Sequence, residues 1–109
     1  MLPRENRLVK DSEIRTVLSK GKTLQAKFFT IKYLESAGLP SRVAIITSKK
    51  IAKQAVRRNK ARRRLREALR PGIKTLKRKD LVFLVRREML EASYKDVLTD
   101  VQTSLQKLK

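Results

Sequence analysis

The segment between Lys49 and Arg70 reads KKIAKQAVRRNKARRRLREALR, in which eleven Lys or Arg residues accompany a single carboxylate, Glu67. Guanidinium groups are planar cations with several N–H donors that match phosphate oxygens. A run of charge is often only a solvated helix face, but an excess of this size calls for an anionic partner. The chemistry that this segment predicts is phosphate binding.

Two sets of residues in this segment recur at steps of three and four, which places each set on one side of an α-helix. The polar set is Asn59, Arg62, Arg63, Arg66 and Arg70. The apolar set is Ala61, Leu65, Ala68 and Leu69. We therefore predict a helix that packs one face on a core and offers the other face to phosphates.

The chain contains neither histidine nor cysteine. This removes the usual general base at neutral pH, the usual zinc ligands and every Ser-His or Cys-His nucleophile pair. Asp96 and Asp100 stand four apart on a predicted helix and could form a carboxylate pair, but no third ligand is evident and surface helices commonly expose acids at this spacing. We expect no metal site in the protein alone and no self-contained catalysis.

The composition indicates one small, strongly basic module. The 109 residues carry a net charge of +19 with a pI near 11.2, so we predict a single RNA-binding domain over residues 1–109. A membrane surface would also attract this charge, but the basic helix lacks the broad apolar face of a membrane-bound helix. Because there is neither a spanning apolar run nor a signal-peptide core at the N-terminus, we expect no membrane association and a cytoplasmic location.

The first half of the chain predicts a short helix and a hairpin. Asp11 or Ser12 can cap a helix that ends at Gly21, and a short strand is possible over residues 22–25. Residues 26–34 alternate as a strand, with one side formed by Phe29, Ile31 and Tyr33 and the other by Phe28, Thr30 and Lys32. Turn residues fill 35–41, and the β-branched run 42–47 is expected to pair with the first strand as a hairpin.

The second half predicts one buried strand and a closing helix. Pro71-Gly72 ends the basic helix, and residues 73–79 form a connector. Residues 80–86 contain an uninterrupted apolar run, which is typical of a strand covered on both faces. Ser93 can cap a final helix whose apolar face is formed by Val97, Leu98, Val101, Leu105 and Leu108. The order of elements indicates an α+β domain with helices packed on one small sheet.

The basic segment resembles the corresponding segment of the protein subunit of bacterial ribonuclease P. That family carries, on a helix after a Ser-Lys-Lys turn, the pattern Arg-Asn-Arg, one spacer, a Lys/Arg-Arg pair, two spacers and a final Arg. The matching residues here are Ser48, Lys49 and Lys50, then Arg58, Asn59 and Lys60, then Arg62, Arg63 and Arg66. The Arg7-Leu8 pair, the helix ending at Gly21 and the order of elements extend the resemblance to nearly the whole chain.

The resemblance implies a fold in the order helix, three strands, helix, strand, helix, with a left-handed β-α-β crossover that departs from the usual right-handed preference. It also implies a subunit of a ribonucleoprotein endonuclease that removes the 5′ leader of precursor tRNA. Its implied partners are a catalytic RNA and precursor tRNA, with no small-molecule substrate. Catalysis is then RNA-based, without catalytic protein residues, and the implied cofactor is Mg²⁺ held mainly by the RNA.

The resemblance further implies two sets of contact residues. The RNA-binding set, with neighbouring cations of the same segment, is Lys49, Lys50, Lys53, Arg57, Arg58, Asn59, Lys60, Arg62, Arg63, Arg66 and Arg70. The leader is expected in a cleft between the first helix and the sheet, lined by Ile14, Leu18, Phe28, Thr30 and Lys32. Lys60 replaces the family's third motif Arg and loses its bidentate fork, while Ile14 and Leu18 stand where Phe is frequent, which predicts weaker base stacking.

Three other interpretations of the basic helix are open. A ribosomal protein would share the size, charge and lack of cysteine, but has no reason to follow this motif order. A DNA-binding module predicts side chains suited to base edges, whereas this helix is more uniformly cationic. A protein-only nuclease is disfavoured because the sequence shows no carboxylate cluster.

Overall fold

A computed structural model describes residues 2–109, so Met1 of the predicted domain lies outside the described residues. Within this range the helices are α1 (Asp11–Lys20), α2 (Ala55–Leu69) and α3 (Tyr94–Leu108). The strands are β1 (Lys22–Gln25), β2 (Phe29–Pro40), β3 (Arg42–Ile46) and β4 (Lys77–Val85). Short 3₁₀ turns cover Arg4–Asn6, Ile73–Thr75 and Arg87–Glu91. This order confirms the predicted α+β class, and no helix in the described range has the length and hydropathy to cross a membrane.

The strands form one mixed sheet in the order β1-β2-β4-β3. Central β4 pairs antiparallel with β2 and parallel with β3, where Arg42 lies opposite Asp80 and Ile46 opposite Leu84. The predicted hairpin between β2 and β3 is therefore wrong. Because parallel neighbours need a crossover connection, α2 links β3 to β4 as a β-α-β unit. Local alternation specifies a strand but does not select its neighbour.

The turn predicted for residues 35–41 is also wrong, because β2 continues to Pro40 and only Ser41 separates it from β3. Ser41 is buried. Its carbonyl oxygen accepts a hydrogen bond from Asn6 Nδ2 at 2.7 Å, and its Oγ accepts one from the Lys79 N–H at 3.1 Å. These contacts fix the link between the two strands. β4 also begins earlier than predicted, at Lys77, so the strand takes part of the expected connector.

The core consists of two clusters, one on each face of the sheet. The larger cluster holds the apolar faces of α2 and α3 against Phe29 and Phe83, whose ring centroids lie 5.0 Å apart. The smaller cluster holds α1 through Val17 against Val82. β4 contributes to both clusters, as its uninterrupted apolar run predicts.

The sequence predicts the end of α1 correctly but not its start. Lys10 precedes the helix and makes no side-chain cap, so the predicted cap at Asp11 or Ser12 is wrong. Gly21 follows the last residue of α1, as expected. A Cβ at Gly21 would lie 2.3 Å from the Val17 carbonyl oxygen, so close packing of the backbone requires glycine here.

Candidate nucleic-acid interface

Helix α2 has the two predicted faces. Its apolar residues are at most 3% exposed and belong to the larger core cluster: Ala61, Leu65, Ala68 and Leu69. The polar residues on the opposite side are exposed or half-buried: Asn59, Arg62, Arg63, Arg66 and Arg70. The core therefore fixes the orientation of α2 and leaves a cationic surface open to solvent.

Asn59 has a defined partner on this surface. Its side-chain oxygen accepts a hydrogen bond from Arg62 Nη2, while Arg62 Nη1 donates to Thr47 Oγ1 at 2.8 Å. Asn is a poor residue for a helix interior, because its amide competes with the backbone. Its presence here is explained by the bond that orients the Arg62 guanidinium, and Arg62 in turn ties α2 to the end of β3.

The residues 48–54, which we call the lysine loop, precede α2 rather than forming its first turns. Arg58 Nη1 donates to the carbonyl oxygens of Ala52 at 2.9 Å and Lys53 at 2.8 Å. Arg87 Nη2 donates to the carbonyl oxygen of Lys50 at 2.9 Å. The two guanidinium groups hold the loop backbone, while its predicted RNA-binding residues are exposed: Lys49, Lys50 and Lys53. Sequence reasoning missed Arg87, since no local pattern connects it to a loop 37 residues away.

Two of the predicted RNA-binding residues form exposed ion pairs. Arg57 Nη2 lies 3.1 Å from Glu91 Oε1, and Arg70 Nη1 lies 3.8 Å from Glu67 Oε2. Exposed pairs of this kind contribute little to stability. Both arginines therefore remain available to a polyanion.

Four of the carboxylates lie together at a cavity away from the exposed face of α2. Glu5, Glu13, Glu35 and Asp80, four of the ten carboxylates, line a cavity of about 480 Å³ beside α1 and β2. There Arg42 Nη2 lies 2.9 Å from Glu13 Oε2 and 2.8 Å from Asp80 Oδ2. The hydrogen bond from Arg42 holds the pKa of Glu13 below its ordinary value of 4.5, and the bond to Asp80 contributes most to a raised pKa of Arg42. This partition leaves the α2 surface almost purely cationic.

Four of the five residues predicted to line the leader cleft lie on one side of the sheet. Ile14 and Leu18 of α1 belong to the smaller cluster, on the sheet face to which alternation assigns Thr30 and Lys32. Lys32 Nζ donates to Thr23 Oγ1 at 2.6 Å. Ile14 also lines a cavity of about 350 Å³ together with Arg66 of α2. This cavity joins the α1 face to the cationic surface.

Phe28 does not belong to this cleft, and its placement beside Thr30 and Lys32 is wrong. The side chain is 6% exposed and packs in the larger cluster. The physical reason is that β2 begins at Phe29, so Phe28 lies in the preceding bend, where strand alternation does not apply.

The two aspartates predicted on α3 have different structural roles, one through its carboxylate and one through its backbone N–H. Asp100 Oδ2 accepts a hydrogen bond from the Phe28 N–H at 3.1 Å. The Asp96 N–H donates to Ser93 Oγ at 3.2 Å, which confirms the predicted cap of α3. Among residues 2–109 no group of three or more Asp or Glu side chains is placed to hold a metal ion.

Comparison with known proteins gives one consistent answer. The family model described as Ribonuclease P matches residues 2–109. The Ribonuclease P protein component of Clostridioides difficile is 39% identical over 92 residues, which cover 83% of this chain and 80% of the relative. That of a Pseudanabaena species is 32% identical over 111 residues, covering 100% and 96%. The solved RNase P protein from Thermotoga maritima superposes with a TM-score of 0.84 at 24% identity, over 94% of this chain and 97% of that one.

Proposed function

The chain belongs to the ribonuclease P protein family, and we propose that it binds the catalytic RNA subunit of ribonuclease P and the 5′ leader of precursor tRNA. Members of this family are components of an endoribonuclease that forms mature tRNA 5′ ends. The family match also removes the ribosomal and DNA-binding interpretations. The observation that carries the proposal is the cationic surface of α2, held rigidly by an apolar face buried in the core.

The catalytic RNA is the proposed ligand of the α2 surface and the lysine loop. The exposed cations there bind backbone phosphates, which fixes the register of the RNA without reading its sequence. Arg58 and Arg87 act as positioning residues, since their guanidinium groups bond to loop carbonyls. Arg62 is oriented by Asn59 and Thr47 before RNA binds, so less side-chain freedom is lost on association.

The leader is the proposed ligand of the α1 face. Ile14 and Leu18 supply apolar contacts for unstacked bases, and Lys32 supplies a cation on the same face. The aliphatic side chains offer no π-face, so the contribution of base stacking is expected to be small. Arg66 lies at the cavity shared with Ile14, which allows one RNA assembly to contact both surfaces.

Mg²⁺ is the proposed cofactor, held mainly by the RNA partner. Bound by the RNA, Mg²⁺ would supply Lewis-acid chemistry at the scissile phosphate and at the attacking water. The protein's own contribution is to neutralise phosphates near each other, which lowers the Mg²⁺ concentration that the RNA needs to fold and bind substrate. No protein side chain is assigned to the bond-breaking step.

The proposal can be tested by isolating the tagged protein from its native cell and sequencing the RNA that copurifies. One abundant catalytic RNA, accompanied by tRNA precursors with intact 5′ leaders, is the expected result. Recovery of ribosomal RNA alone, or of no RNA, would exclude the proposed partnership. A wash series at increasing salt provides a control, because phosphate-dominated binding weakens steeply with salt.

A further inference from the structure

A second cationic site lies on a flank of α2 and combines one motif residue, Lys60, with Arg64, which belongs to neither the family motif nor the predicted RNA-binding set. It is a half-enclosed cavity of about 240 Å³, lined by Arg57, Lys60 and Arg64 of α2 and by Leu90 and Glu91 of the 3₁₀ turn after β4. Residues 57, 60 and 64 follow one another at steps of three and four, so their side chains share one side of the helix. Three cations and one carboxylate therefore surround one small cavity.

Arg64 is the residue that distinguishes this site. Its Nη1 donates to the Ala92 carbonyl oxygen at 2.6 Å, and the side chain is half-buried. A guanidinium group has five N–H donors, so this single bond orients the group and leaves donors for a ligand. A fixed guanidinium loses little freedom when it binds a phosphate.

Glu91 occupies the position that an anionic ligand would take. Its carboxylate pairs with Arg57 at 3.1 Å, and its side chain is 85% exposed. An exposed pair of this kind is weak and opens readily in favour of a competing anion. The cavity thus contains two cations without a carboxylate partner within residues 2–109, and one cation whose partner can be displaced.

We propose that this cavity binds one backbone phosphate of the catalytic RNA, held by Arg64 and Lys60, with displacement of Glu91 from Arg57. The inference rests on the proposed function, because it assigns a further contact to the same RNA. The catalytic RNA is favoured over the leader because α2 and α1 pack on opposite faces of the sheet. RNA that lies along the exposed side of α2 reaches this flank without crossing the sheet.

Two substitutions test the site in opposite directions, with the purified catalytic RNA as the probe. Arg64→Gln removes one phosphate contact, which should lower the slope of log affinity against log salt by about 0.7 to 0.9. Between 50 and 200 mM salt, the defect relative to wild type should then shrink about threefold. Glu91→Gln removes the competing carboxylate and should strengthen binding about two- to fivefold.

Matched controls remove general charge effects. Glu88 lies in the same 3₁₀ turn, pairs with Arg86 at 3.4 Å and does not line the cavity, so Glu88→Gln makes the same change in net charge but should strengthen binding less. Arg4→Gln removes an exposed guanidinium from the N-terminal 3₁₀ turn and should leave the salt slope unchanged. Melting temperatures identify any loss of folding in Arg64→Gln, and Glu91→Gln tests the site independently of it.

The outcomes separate this inference from the proposed function. If wild-type protein does not bind the catalytic RNA, the proposed function fails. If wild type binds, but Glu91→Gln and Glu88→Gln behave alike and Arg64→Gln keeps the wild-type slope, only the new site is refuted. If Arg64→Gln instead lowers the preference for precursor over mature tRNA, the cavity contacts the leader and the assignment to catalytic RNA is wrong.

Discussion

Truncating one residue on each face of α2 should separate folding from RNA binding. Leu65 is fully buried in the larger core cluster, so Leu65→Ala removes packed methyl groups and leaves a cavity. Substitutions of this kind cost about 2 to 5 kcal/mol. A domain of this length has a free energy of unfolding of about 5 to 15 kcal/mol. The variant should therefore remain folded at 25 °C, but with a much smaller free energy of unfolding than wild type.

The expected change in melting temperature follows from chain length. An unfolding entropy of about 2.1 cal/mol/K per residue makes each kcal/mol worth about 4 °C for a chain of 109 residues. A loss of about 3 kcal/mol should thus lower the melting temperature by about 12 °C. Urea unfolding followed by circular dichroism gives the free energy directly.

Arg63→Ala is the matched variant on the other face. Arg63 is exposed, and among residues 2–109 its side chain has no hydrogen bond or ion pair to the protein, so its removal should change the melting temperature by at most a few degrees. The salt slope for the catalytic RNA should fall by about 0.7 to 0.9. Leu65→Ala should keep the wild-type slope at 25 °C. If Arg63→Ala unfolds the protein while Leu65→Ala leaves both stability and binding intact, the assignment of the two faces is refuted.

Three further substitutions probe the supporting contacts. Asp100→Ala removes the hydrogen bond from the Phe28 N–H and should lower the free energy of unfolding by about 1 kcal/mol. The loss should be the same with and without Mg²⁺, and a Mg²⁺-dependent effect would instead indicate a metal site. Arg42→Met should lower the melting temperature at pH 7, and this deficit should shrink below pH 4.5. Arg42 depresses the pKa of Glu13 in the folded protein, so the stabilisation from this ion pair is lost as Glu13 becomes protonated. A deficit that does not vary with pH would contradict that linkage. Arg58→Ala should speed amide hydrogen exchange across residues 48–54 and weaken RNA binding, whereas unchanged exchange would mean that the loop does not depend on Arg58.

Local sequence pattern predicts the elements whose signal lies within one segment. The helical repeat of α2 identifies Leu65 as core and Arg63 as surface, and the unbroken apolar run of β4 identifies a central strand. The cap at Ser93 is predicted from two residues three apart. In each case the physical constraint acts between near neighbours in the chain.

Several of the features that sequence pattern misses depend on residues that are distant in the chain. The β3 run is equally suited to pairing with β2 or β4, and its link through Ser41 depends on bonds to Asn6 and Lys79. Phe28 lies in the bend before β2, where its N–H donates to Asp100, 72 residues away, and its side chain packs in the larger cluster. The contact from Arg87 to the lysine loop is likewise invisible to periodicity.

The most direct test of the account is cleavage of precursor tRNA at low Mg²⁺ by the protein alone, by the catalytic RNA alone and by the two together. The lack of histidine and cysteine, together with the cationic surface of α2, predicts no cleavage by nuclease-treated, RNA-free protein and a large stimulation when both components are present. Robust cleavage by the RNA-free protein, or no stimulation of the catalytic RNA, would contradict the central claim.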